Sequence, residues 1–166
     1  TSHFNEVIST DNQIVNGKAG MKWGEFDVKA MVDGAKNDPS VIMWSLGNEI
    51  DEGVSGNTSH YLNLVDDLIK WVQEVDTTRP VTNGDNRKNT NPNAMLSQIN
   101  QKIYEAGGVV GMNYANGDQT IAMHNTYSDW PLYGSETASA VHSRGVYNTT
   151  GKDDNTLQMS EYDNDE

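Results

Sequence analysis

Four short apolar runs, beginning at Val41, Val81, Val109 and Leu132, alternate along the chain with stretches whose apolar side chains recur at three- and four-residue spacing. Strands separated by helices cannot pair as hairpins. They lie parallel in one sheet, open or closed, with the helices crossing between them. This alternation limits the chain to an α/β fold of about four strand-helix units.

The pattern predicts the elements one by one. Phe26, Val28, Met31, Val32 and Ala35 mark a helix from Glu25 that stops before Asp38-Pro39, because proline disfavours helix for its predecessor. Tyr61, Leu62, Leu64, Val65, Leu68, Ile69, Val72 and Val75 mark a second, with Ser59 as its expected N-cap. Met95, Leu96, Ile99 and Ile103 mark a third, which Gly107-Gly108 can end by supplying a left-handed residue. A weaker helix is expected over 119–127. Thr1 to Gly24 and 51–57 read as loop. The run from Val41 through Trp44 to Leu46 reads as a strand covered on both faces, with Trp44 in the core.

The 166 residues suffice for one domain with a real core, expected over 1–166, but fall short of the roughly 250 of a closed eight-fold barrel. The formal charge of -13, from 24 acidic and 11 basic side chains, disfavours nucleic acid and suits a neutral substrate. No apolar run approaches the roughly 20 residues of a membrane span. There is no cysteine, so disulfides, thiolate metal sites and cysteine nucleophiles are ruled out together. The histidines His3, His60, His124 and His142 lack the spacing that places two ligands on one helix face, so neither metal nor cofactor is predicted. Residues 151–166 carry six acidic side chains and one lysine, and read as a solvated loop or tail.

Two of the four strands end in a carboxylate. In a parallel array Glu49 and Glu136, 87 residues apart, emerge on the same face. A pair of carboxyl groups can divide the work of breaking a glycosidic bond: one protonates the leaving oxygen while the other attacks the anomeric carbon or activates water.

The residues around both glutamates carry a resemblance. Asp38-Pro39-Ser40-Val41-Ile42-Met43-Trp44-Ser45-Leu46-Gly47-Asn48-Glu49 resembles the acid/base strand of glycoside hydrolase family 2, and Tyr133-Gly134-Ser135-Glu136-Thr137 resembles its nucleophile strand. Asp76 to Thr82, Val110 to Tyr114 and Ser143 to Tyr147 are similar to further segments of that family. The resemblance implies a partial (β/α)8 TIM barrel, matching the fourth to seventh strands, and hence a fragment of a longer enzyme. It implies a bacterial β-galactosidase-like retaining exo-β-glycosidase, with β-glucuronidase or β-mannosidase as the alternatives within the class.

Roles follow from the resemblance. Glu49 is the expected general acid/base and Glu136 the nucleophile; Asn48 would bond the sugar 2-hydroxyl, and Tyr114 would donate to Glu136. Trp130 and His142 are further candidate substrate contacts. The expected partner is a carbohydrate, with no nucleic acid and no membrane span. Homo-oligomerisation is a further expectation, because an open sheet leaves two edges. A metal in the longer parent and the compartment, cytoplasmic or secreted, stay open. The competing expectation is an inactive piece that binds sugar weakly or self-associates.

Overall fold

The computed structural model describes residues 23–50 and 58–137. In chain order these form α1 (Trp23–Ala35), β1 (Trp44–Asn48), α2 (Thr58–Gln73), β2 (Val81–Asp85), α3 (Met95–Glu105), β3 (Val109–Asn113), α4 (Gly117–Thr126) and β4 (Leu132–Glu136). The strands pair in parallel in the order β1-β2-β3-β4, so spatial order equals chain order. This is one arc of an α/β barrel. A doubly wound sheet would reverse its strand order partway along.

Burial explains why the helices sit where they do. Trp44 and Leu46 of β1, Val81 of β2, and Val110 and Met112 of β3 join one core with Leu64, Val65, Leu68 and Val72 of α2 and with Leu96, Ile99 and Ile103 of α3. α1, α2 and α3 pack side by side against it. Register aligns Ser45 with Thr82, and Gly84 with Gly111 and Tyr133, on the opposite face of the sheet. There the Thr82 and Tyr133 hydroxyls meet at 3.3 Å, across β3.

The ends of the elements follow local chemistry. α3 closes with the paired bonds of a Schellman turn, Gly107 N–H to Tyr104 O (2.9 Å) and Gly108 N–H to Ile103 O (2.8 Å), with Gly107 at φ +76°. Several boundaries differ from expectation. α1 begins at Trp23 and takes in Gly24, which reads as loop in the sequence. Ser59 lies inside α2 and is not its N-cap. α4 starts at Gly117 because Asn116 and Gln119 form a reciprocal capping box.

β1 differs more. It starts at Trp44, whose N–H reaches Pro80 O (2.9 Å), and Ile42 ahead of it is 70% exposed. Its burial alternates, Trp44 and Leu46 being buried and Ser45 exposed, because it is an edge strand covered by helices on one face only among the described residues. Trp44 is a core residue, as expected, and its indole N–H donates to Asp76 Oδ2 at 2.9 Å.

Candidate active site

Parallel strands deliver their C-terminal ends to one side, and three of the four ends meet there. β1 finishes at Asn48 and passes into Glu49; β3 finishes at Asn113 and passes into Tyr114; β4 finishes at Glu136. The register slips between Ser45 and Asn48, and again between Met112 and Asn113. Such bulges re-aim the side chains at a strand end. Glu49 and Tyr114 both take a positive φ, 50° and 54°, each held by a backbone bond: Glu49 N–H to Gly84 O (2.9 Å) and Tyr114 N–H to Glu136 O (2.6 Å).

One side chain lies at the centre. Asn113 is fully buried, and its Nδ2 lies 2.9 Å from Asn48 Oδ1, 3.0 Å from Glu49 Oε1 and 3.0 Å from Glu136 Oε1. The two carboxylate oxygens are each 3.0 Å from one nitrogen, so at most twice that distance, about 6 Å, separates them. Asn48 Nδ2 also donates to Glu136 Oε1 (3.2 Å), and the Tyr114 hydroxyl donates to Glu136 Oε2. Glu136 thus accepts from three side chains, Glu49 from Asn113 alone among the described residues. The bond to Glu136 raises the Tyr114 phenol above its usual 10.0, helped by burial and by the charges of Glu136 and Glu49.

Glycine makes the space. A Cβ on Gly84 would overlap Asn48 Oδ1 and lie 2.9 Å from Asn113 Oδ1. Below, the ammonium of Lys88 donates to Asn113 O (2.7 Å) and Asn86 O (3.1 Å), tying the loop after β2 to the end of β3.

The structure brings together Asn48, Glu49, Tyr114 and Glu136 of the residues singled out in the sequence. Trp130 is not with them. It precedes β4, at the opposite end of that strand from Glu136, some 20 Å along an extended chain. It is 5% exposed, stacked on Tyr127 at a centroid distance of 3.8 Å, with its indole N–H on Gln101 Oε1 (3.2 Å). His142 and the 151–166 tail lie outside the described residues. Asn113 is the residue that sequence reasoning missed. Its signal is a repetition: β1 and β3 both end in asparagine followed by a polar residue, Asn48-Glu49 and Asn113-Tyr114.

Among the described residues no group of three or more His, Asp or Glu could hold a metal ion, and no helix is long and apolar enough to cross a membrane.

The chain is similar to known proteins. Residues 7–159 match the family described as "Glycosyl hydrolases family 2, TIM barrel domain". The β-galactosidase BoGH2A of Bacteroides ovatus is 30% identical over 154 residues, an alignment covering 76% of this chain and 17% of that protein. Two solved structures from Bacteroides uniformis, a β-glucuronidase and a β-glucuronidase 2 covalently bound to cyclophellitol-6-carboxylate aziridine, each superpose with a TM-score of 0.56 at 21% identity. Each superposition covers 78% of this chain and 17% of the other, and the likeness is one of fold. The chain thus spans under a fifth of the length of these relatives. A match along nearly its whole length, on a sheet that forms an arc of a barrel, establishes that the chain belongs to the TIM barrel domain of glycoside hydrolase family 2.

Proposed function

We propose that the protein is a retaining exo-β-glycosidase acting on terminal β-linked galactose, with Glu49 as acid/base and Glu136 as nucleophile. One observation carries this reading: both carboxylates accept from the same amide nitrogen. At most about 6 Å therefore separates their Oε1 atoms, short of the roughly 6.5 Å at which an inverting enzyme begins to fit its water and compatible with the about 5 to 5.5 Å of a retaining pair.

In the first step a Glu136 oxygen attacks the anomeric carbon as the bond to the leaving oxygen breaks, and Glu49 gives that oxygen its proton. In the second, water attacks the same carbon, Glu49 takes the water's proton, and the ester bond to Glu136 breaks. Three donors on Glu136 fit a carboxylate that must carry negative charge until it attacks. Among the described residues Glu49 accepts from one donor, which leaves its other oxygen able to hold the proton of a general acid. Asn48, at the strand end beside both, is placed to meet the 2-hydroxyl of the reacting sugar. Galactose is favoured by the β-galactosidase relative.

A chromogenic β-galactoside, run beside the matching glucuronide and mannoside, tests the reading. Turnover should be greatest on the galactoside, and should fall about 10³-fold or more in Glu136→Gln and about 10²- to 10⁴-fold in Glu49→Gln. Turnover that ignores Glu136→Gln contradicts it. The same assay decides whether the 166-residue chain suffices for activity alone. Sedimentation velocity reads the self-association that two sheet edges favour.

A further inference from the structure

We propose that Asn113 is the positioning residue of this site: its buried amide holds Glu49, Glu136 and Asn48 in register, and Ser135 anchors the oxygen of that amide. The proposal rests on the roles given above to the two glutamates, but its structural half stands without them.

The direction of the amide follows from its surroundings. Ser135 Oγ donates to Asn113 Oδ1 at 2.6 Å, while the nitrogen faces three acceptors, the oxygens of Asn48, Glu49 and Glu136. Turned over, Asn113 would point its carbonyl oxygen at two carboxylates and at another amide oxygen, with nothing to donate. An asparagine has two N–H groups, so three acceptors at 2.9 to 3.0 Å must share them. An acceptor that moves away gives up its bond to a buried donor, so the amide opposes the spreading of all three. Asn113 is fully buried, so water cannot readily substitute for it.

The strands explain why this residue can do it. β3 lies between β2 and β4 in the sheet, and the slip in its register with β4 comes between Met112 and Asn113. Gly84 on the neighbouring strand leaves the room in which Asn48 and Asn113 meet. Glu49 comes from β1, two strands away on one side, and Glu136 from β4 on the other. No backbone hydrogen bond joins β1 to β4, so the Asn113 amide is a direct bridge between them. Asn113 has no expected role in proton transfer or in attack, and it acts through the residues it holds.

The test combines kinetics with structure. In Asn113→Ser, kcat should fall about 10²-fold, the scale of a misplacement of about 1 Å, with KM changed less than about threefold. Crystal structures of the protein and the variant should show the Glu49 and Glu136 carboxylates moved apart. A variant with kcat within about threefold of the parent, or with both carboxylates unmoved, overturns the proposal. Should Asn113→Ser fail to fold, Ser135→Ala carries the same test: with the anchor on its oxygen gone, the Asn113 amide should shift and kcat fall about tenfold, and either an unshifted amide or an unchanged kcat overturns the proposal. If the parent protein shows no turnover dependent on Glu136, the assignment of the chemistry fails, and the carboxylate positions alone decide the role of Asn113.

Discussion

Glu49 and Tyr114 carry backbone conformations that cost a non-glycine residue on the order of 1–3 kcal/mol each. Both are the first residue past a strand end, and both are held by a backbone bond to a neighbouring strand. The strain turns side chains from β1 and β3 toward Glu136. Tyr114 reports on this contact. Its phenol should titrate above the ordinary tyrosine value of 10.0, and Glu136→Gln should bring it back down by removing the charge that its proton faces. The tyrosinate absorbance of the protein minus that of Tyr114→Phe isolates this group; a midpoint that ignores Glu136→Gln would show that the two do not touch. Because the raised value means that folding favours the protonated phenol, its contribution to stability is full below the ordinary value and is lost as pH rises through the folded one. The two glutamates are legible in the sequence because each closes a strand inside a recognisable motif. Asn113 is not, because its importance arises from a bulge and from a glycine on another strand, neither of which linear order displays.

Among the elements, the fit between β1, α2 and β2 depends on Asp76. This buried carboxylate accepts from the Thr78 hydroxyl (2.6 Å) and N–H (2.8 Å), the Trp44 indole (2.9 Å) and Arg79 (2.8 Å), while Arg79 also reaches Val41 O (2.6 Å) and Asp38 O (3.2 Å). The Thr78 bonds, followed by those of Trp44 and Arg79, hold the Asp76 carboxyl far below its ordinary 3.8. A depressed folded value means that the unfolded chain binds the proton first, so this contribution is present above the ordinary value and disappears as pH falls through the folded one. Asp76→Asn should therefore lower the urea midpoint at neutral pH, and the gap from the parent should narrow as pH drops below the ordinary carboxylate range. A gap of constant size would contradict the pairing. Helix and strand existence is legible at this scale because burial imposes the periods on the sequence. Boundaries are less so: the start of α4 depends on the reciprocal Asn116–Gln119 bonds, and the start of β1 on where Pro80 offers a partner to Trp44.

At the scale of the whole molecule, strand order gathers the candidate site. Four parallel strands in chain order put Asn48, Glu49, Asn113, Tyr114 and Glu136 at one end of the sheet, though they span nearly ninety residues of sequence. The alternation of strands and helices revealed the parallel sheet. It could not reveal that β1 is covered on one face only among the described residues, since a continuous apolar run reads alike on an edge and in the middle of a sheet. Two carboxylates meet at this end, and in the proposed mechanism Glu136 attacks the sugar. Trapping with an activated 2-deoxy-2-fluoro-β-galactoside, followed by peptide mass spectrometry, tests it most directly. One fluorosugar is expected on Glu136 and none in Glu136→Gln; attachment to any other residue, or turnover with inversion at the anomeric carbon, rules out Glu136 as the nucleophile.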